Sequence, residues 1–379
     1  MINQNYQICT SCVMDTTDPK ITFDKNGMCD YCNNYYDNIL PNWHPNEHGQ
    51  KLFAPILEKI KKEGKKQSHD CLIGISGGAD SSYLVHLAKA KLGLSPLVFH
   101  VDAGWNSQIS VNNVQRIIDG LGLDLYTEVI NWNEMKDLQL AFFKAGVPHL
   151  DAPQDHVFFA SLYNFAVKHK VKYILTGGNH STECLREPLN WIYHASDLRQ
   201  LKDIHKKHGL IPLKTYPTAD IFKHKIYYKY IKGLQVVRPL DYMPYNKEEA
   251  MLELKEKYGW MPYAHKHYES RFTRFFEGYW LPEKFGYDKR KTHFSSLILT
   301  KQMSRDDALK ELSQPAYDPD EMKKDFEFVA KKLGLTKDSL QSLLDGENKT
   351  YKDYKNNMFM INIGTKVLTL LNKNHQIFR

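Results

Sequence analysis

Short apolar runs alternate along the first half of the chain with longer stretches of helical spacing. Asp70-Cys71-Leu72-Ile73-Gly74-Ile75 is a mostly apolar run of strand length. Tyr83 to Ala90 follows with apolar residues at 84, 87 and 88, which predicts a helix. Leu97 to Asp102 predicts a second buried strand, Val111 to Leu121 a helix, and Leu125 to Ile130 a third strand. Gln154 to His169 predicts a helix, and Val171 to Leu175 a fourth strand that runs into Thr176-Gly177-Gly178-Asn179-His180. Alternation at these lengths predicts an α/β fold with a doubly wound, mostly parallel sheet. Ligands of such sheets sit beyond the C-terminal strand ends. Three segments then share one rim: Ser76–Ser82, His100–Gly104 and Thr176–Glu183.

The second half reads as mostly helical. Phe272, Phe275, Phe276 and Tyr279 recur at i, i+3, i+4 and i+7, the stripe of a packed helix. Ser304 precedes a helix as its cap, with Asp307 at the third position. Pro315, Pro319 and the acidic run around them mark a break, and Met322 to Leu333 and Asp338 to Leu344 are short amphipathic helices. Residues 358–379 show no clear period. The expected organisation is an N-terminal module over 1–45, a nucleotide domain over 50–240, and a mostly helical substrate or partner region over 241–379.

Length and composition set the outer limits. The chain has 379 residues, 42% hydrophobic and 25% charged, as ordinary globular proteins do. No apolar run reaches membrane-spanning length, and the first residues do not read as an export signal, so a cytoplasmic protein is expected. The net charge is +7. Much of it is local: between Leu201 and Gly233 eight lysines face only Asp203 and Asp220. Such a window attracts phosphates, acidic sugars or nucleic acid, or is simply a solvated lysine-rich face.

Four of six cysteines lie near the start. Cys9 and Cys12, then Cys29 and Cys32, form two C-x2-C pairs, and Gly27 supplies turn freedom before the second. Two such pairs can converge on one tetrahedral ion, zinc or a rubredoxin-like iron. Two disulfides are the competing reading, which an intracellular chain disfavours. The expected role is to staple a short module without a core of its own. Cys71 reads as a small core residue, and Cys184 is left over.

The first strand runs into Ser76-Gly77-Gly78-Ala79-Asp80-Ser81-Ser82, and a helix follows. Strand, glycine turn and helix start are the order an anion site needs, because glycine lets backbone N–H groups approach a phosphate at the positive helix end. No Gly-Lys-Ser/Thr is present, so this is not the Walker loop. SGGADSS resembles the loop of the N-type ATP pyrophosphatases, the PP-loop superfamily of adenine nucleotide alpha-hydrolase-like fold. That resemblance implies cleavage of ATP between its α- and β-phosphates. It implies that Ser76, Gly77, Gly78, Asp80, Ser81 and Ser82 hold the pyrophosphate. It further implies that His100 and Asp102 line the adenine and ribose, and that Gly177, Gly178 and Asn179 contact the nucleotide. Asp80 and Glu183 would bind Mg2+.

Two further segments narrow the resemblance: CTSCVMDTTDPKITFDKNGMCDYC, and the stretch from His265 through HKHYESRFTRFF to Lys284-Phe285-Gly286-Tyr287-Asp288-Lys289-Arg290-Lys291. With the loop they resemble the N-acetyl sugar amidotransferase family, and within it the amidotransferases of pseudaminic acid biosynthesis. The resemblance spans Cys9 to about Tyr317. It implies that ATP adenylates the acetamido carbonyl of an N-acetylated surface sugar, a nonulosonic acid or a nucleotide sugar. Ammonia then displaces AMP to leave an acetamidino group, a modification of lipopolysaccharide and flagellin glycans. It implies ATP and Mg2+, with structural Zn2+ on the four cysteines. Lys266, Arg271, Arg274, Lys284 and Arg290 are candidates to hold phosphates or a sugar carboxylate, Arg above Lys for its planar fork.

No glutaminase is evident in the chain. Ile2 stands where an N-terminal nucleophile would need cysteine, and Cys184 lacks the flanking glycines of a nucleophile elbow. The family resemblance implies a separate glutaminase, class I with a channel subunit. The competing readings are a tRNA-modifying PP-loop enzyme, such as a thiolase or lysidine synthase, and a metal-stapled nucleotide-binding scaffold. Only Cys184 follows the loop and the basic window is short, so neither nucleic acid nor membrane is an expected partner.

Overall fold

The computed structural model describes residues 6–65, 67–263 and 268–370. The candidate Lys266 lies outside the described residues. Five parallel strands form one sheet: β1 (Cys71–Gly74), β2 (Pro96–Asp102), β3 (Leu125–Val129), β4 (Tyr173–Leu175) and β5 (Gln235–Val237), in the order β3-β2-β1-β4-β5. After β3 the chain crosses to the other side of β1. The order therefore reverses between β1 and β4, and a crevice opens at their C-terminal ends.

Strand alternation sorts side chains onto two faces. Leu72, Phe99 and Ile174 face one core, which the helices Trp132–Ala145 and Ala152–Lys168 cover. Cys71, Ile73, Val98, Tyr173 and Leu175 face the other, under the helices Glu47–Gly64, Ala79–His86, Gln108–Leu121 and Lys247–Tyr258. Phe272, Phe275, Phe276 and Trp280 are fully buried in the first core, so the C-terminal helices are continuous with it.

The chain is thus an α/β protein with a doubly wound parallel sheet, an N-terminal four-cysteine cluster and a mostly helical C-terminal region. Met358–Leu370, where no period was legible, is a helix. Ser304 caps Arg305–Leu312 by accepting from the Asp307 amide at 3.1 Å. The lysine-rich window folds into the helical stretches Leu198–His208 and Lys223–Ile231. No helix of the described residues is long and apolar enough to cross a membrane.

Candidate functional site

The loop after β1 is shaped by its own hydroxyls. Ser81 Oγ lies 3.1 Å from Ser76 Oγ and accepts from the Ser76 amide at 3.2 Å, while the Gly78 amide donates to Ser76 Oγ at 3.3 Å. Gly78 is the N-cap of Ala79–His86 and offers no side-chain acceptor, so the first-turn amides stay available to a ligand. Gly77 adopts φ +88°, and its carbonyl accepts from Trp260 Nε1 and Tyr263 OH, each at 3.1 Å. A Cβ at Gly77 would lie 2.8 Å from the Ser110 carbonyl. Gly77→Ala should therefore cost about 2–4 kcal/mol from the positive φ and the clash together. Gly122→Ala, at φ +59° in open space, should cost about 1–2 kcal/mol from the φ alone. Urea unfolding of the two variants checks the difference.

Asp80 sits in the first helical turn. Its Oδ1 accepts from Tyr245 OH at 2.5 Å and, more weakly, from Asn179 Nδ2 at 3.5 Å. Burial and then the Asp80 charge push the Tyr245 phenol well up, so it stays a donor. Asn179 caps the turn His180–Glu183 through the Thr182 amide at 3.0 Å. Gly177 packs against the Asp80 and Ser81 backbone, where a Cβ would stand 3.0 Å from the Asp80 carbonyl carbon. The loops after β1 and β4 therefore meet at Asp80. The Glu269 carboxylate also reaches the loop, with Oε1 1.7 Å from where a Gly78 Cβ would stand.

These elements border a cavity of about 1080 Å³. Ser76, Gly78, Asp80, Ser81, His100, Gly177, Gly178 and Glu183 line it, as the sequence suggests. Four rim candidates stand elsewhere. Gly77 packs its backbone against Ser110, Trp260 and Tyr263. Ser82 is fully buried, because the helical step after Ser81 turns it into the core. Asp102 turns back to accept the Gly104 amide at 2.8 Å and Asn106 Nδ2 at 3.3 Å. Asn179 is buried as a cap. His100 donates from Nδ1 to the Ile75 carbonyl at 2.8 Å and accepts from Asn106 at Nε2, the tautomer those partners assign.

The cation candidates need correction. Of Arg271, Arg274, Lys284 and Arg290, only Arg290 lines the cavity. Arg271 and Arg274 both bind the buried Asp325 carboxylate. Lys284 donates to the carbonyls of Leu343, Leu344 and Gly346 at 3.0, 2.7 and 2.7 Å, closing the C-terminal end of the helix Lys337–Asp345. Arg290 is held by Asp288 at 2.7 Å and by the carbonyls of Glu311 and Gln314. The cavity instead receives Arg186, Arg238, Lys247 and Lys289. Burial opposes the charge on Lys289, but Glu277 at 2.6 Å and Glu187 at 3.7 Å outweigh it and hold the ammonium far above its ordinary range. Asp155 adds a third carboxylate to that wall. The signal for Lys289 was its place beside Arg290; Arg186, Arg238 and Lys247 carry no motif.

The four cysteines converge. Their sulfurs all lie within 4.8 Å of one another, with Sγ–Sγ separations of 3.8, 3.7 and 3.6 Å for Cys9–Cys32, Cys12–Cys29 and Cys29–Cys32. A tetrahedral zinc with sulfur at about 2.3 Å requires about 3.8 Å between sulfurs. The amides of Ser11, Cys12 and Cys29 donate to Cys9 Sγ, as knuckles do. Four buried sulfurs at these separations match a closed tetrahedral set, so the residues fit zinc.

Comparison with known proteins bears on the C-terminal part most directly. Residues 269–368 match the family model "LPS biosynthesis protein WbpG-like, C-terminal domain". Over 317 residues the chain is 23% identical to an uncharacterized protein of Methanocaldococcus jannaschii, covering 81% of this chain and 93% of that one. Among solved structures it is similar to an NH3-dependent NAD synthetase from Campylobacter jejuni, with TM-score 0.31, 15% identity and coverage of 76% and 97%. A second is NMN synthetase from Francisella tularensis, with TM-score 0.29, 15% identity and coverage of 57% and 94%. Neither superposition is close enough to transfer a property. By sequence, then, residues 269–368 are similar to the C-terminal domain of a WbpG-like lipopolysaccharide-biosynthesis protein, and they follow the five-stranded parallel sheet in the chain.

Proposed function

We propose that this chain is an ATP-dependent amidotransferase that converts the acetamido group of an N-acetylated surface sugar into an acetamidino group. One observation carries the reading: the phosphate loop with Asp80 and the wall bearing Lys289, Arg290 and Arg186 open into the same cavity. At about 1080 Å³ that cavity exceeds the space a single small ligand usually fills, so a nucleotide and a sugar have room together. The C-terminal match supports a surface-polysaccharide substrate.

The acetamido oxygen attacks the α-phosphorus of ATP, and the bond to pyrophosphate breaks. Ammonia adds to the imidate carbon, AMP leaves with the oxygen, and an amidine remains. Positioning and charge neutralisation are what such steps need from a protein. Loop amides and the Ser76 and Ser81 hydroxyls would hold the pyrophosphate, with Mg2+ on Asp80 and Glu183. Lys289, Arg290 and Arg186 would hold the acidic part of the sugar, a nonulosonic acid such as pseudaminic acid or a nucleotide sugar. Ammonia would come from a separate glutaminase subunit.

Incubation with ATP, Mg2+, ammonium and a panel of N-acetylated sugars should yield AMP and a product lighter by the difference between O and NH. ADP in place of AMP, or AMP release that requires tRNA and no sugar, would overturn the reading.

A further inference from the structure

The four-cysteine module does not stand apart from the cavity. Lys291 Nζ donates to Asp15 Oδ2 at 2.5 Å, and Asp15 is fully buried. Burial opposes the Asp15 charge, but Lys291 first, then Thr17 and Tyr6, hold the carboxyl below its usual range. Arg305 grips both knuckle carbonyls, from Nε to Cys12 O at 3.0 Å and from Nη2 to Cys9 O at 2.8 Å. The Val13 amide donates to Ser295 Oγ at 3.2 Å, and the neighbouring Ser296 Oγ accepts the Leu185 amide at 3.0 Å. Cys184, Leu185 and Trp191 share one apolar cluster with the four cysteines.

Apart from that of Arg305, on the helix Arg305–Leu312, those contacts land on two of the segments that carry the cavity's cations. The helix Arg290–Leu299 has Lys289, Arg290 and His293 at its cavity end, and Arg186 follows Leu185 directly. The phosphate loop rests on Ser110, Trp260 and Tyr263, and meets the loop after β4 at Asp80. Among its described residues the module has only two isolated bridges and one helical run over 30–42. It is too small to keep its shape by burial, so the geometry that Arg305 and Ser295 read depends on the sulfurs being tied together.

We propose that the metal-loaded module positions the cation-bearing wall of the cavity and leaves the nucleotide loop independent of it. Asp15, Lys291 and Arg305 are then positioning residues for Lys289, Arg290 and Arg186. What the wall holds rests on the amidotransferase reading; the coupling itself does not.

Hydrogen exchange on the full wild-type chain, before and after metal removal by a strong chelator, tests the coupling without turnover. Amides of residues 184–191 and 289–299 should exchange faster by about tenfold or more, the range a lost positioning contact gives. Residues 72–86 should not change, and calorimetry should find ATP binding retained. Unchanged exchange in the wall, or a uniform rise across the chain, overturns the proposal. Asp15→Asn supplies a second reading at unchanged metal content. The sugar KM should rise about tenfold with the ATP KM within about twofold. Equal changes in both KM values count against positioning. Absence of AMP formation by the wild type would instead sink the amidotransferase reading and leave the exchange result standing.

Discussion

Asp80→Asn should lose ATP-driven turnover by about 10³-fold or more, with the fold and the four-cysteine metal unchanged. The substitution is chosen for what it keeps. Asn retains an oxygen for Tyr245 OH, which now bonds Asp80 at 2.5 Å, and it keeps a polar residue in the first turn of Ala79–His86. Only the charge goes. That charge is what would hold Mg2+ against the pyrophosphate, and Glu183 alone would be left to do so. Asp80→Ala would also strand the Tyr245 hydroxyl, which is 6% exposed, and so mix a folding cost of about 1–3 kcal/mol into the result. Tyr245→Phe is the matched control: the charge stays and one donor is lost, so turnover should fall far less. AMP release at fixed ATP and melting temperature are the two measurements. Near-normal turnover in Asp80→Asn would remove Asp80 from the site.

The rim of the sheet was legible because its signals are local. A strand that ends in Gly-Gly before a helix places Ser76, Gly78, Asp80 and Ser81 together through chain geometry alone, and Gly178 and Glu183 arrive by the same logic after β4. The helices around Val111 to Leu121 and Gln154 to His169 were legible from period, and the structure starts them earlier, as Gln108–Leu121 and Ala152–Lys168, the second ending one residue sooner. β5 was not, since Gln235–Val237 has three residues behind a lysine-rich stretch and gains its identity only by pairing with β4. The helix Trp132–Ala145 carries an Asn131 cap and a Gly146 stop that went unread. The opposite wall of the cavity is non-local. Arg186, Arg238, Lys247 and Lys289 meet there from four separate segments, and nothing in the neighbours of the first three says so. The preference for Arg over Lys was sound chemistry applied to the wrong acceptor. The planar forks of Arg271 and Arg274 do pair with a carboxylate, but it is the chain's own.

That carboxylate supplies the second large effect. Asp325→Ala should destabilise the protein by about 3–5 kcal/mol, since it breaks a buried ion pair and leaves its cations behind. Asp325 is fully buried and takes Arg271 Nε at 2.5 Å, Arg274 Nε at 2.7 Å and the Tyr317 hydroxyl. Arg271 also lies 3.8 Å from the centre of the Phe328 ring, and both arginines sit on the layer of Phe272, Phe275 and Phe276. Burial opposes the charge on Arg274, but Tyr317 and Asp325 more than restore it, so the guanidinium stays protonated and cannot escape the loss by releasing its proton. The damage should fall on stability, read by urea unfolding through tryptophan fluorescence. The KM values of the folded fraction should hold. This outcome also decides between the two uses of the arginines. If they serve the ligand, Arg271→Lys and Arg274→Lys will raise a substrate KM at unchanged stability. If they serve Asp325, both variants will unfold earlier and bind as before, because a lysine cannot reproduce the Nε and Nη2 contacts of Arg274 or the stacking of Arg271 on Phe328. The geometry commits to the second result.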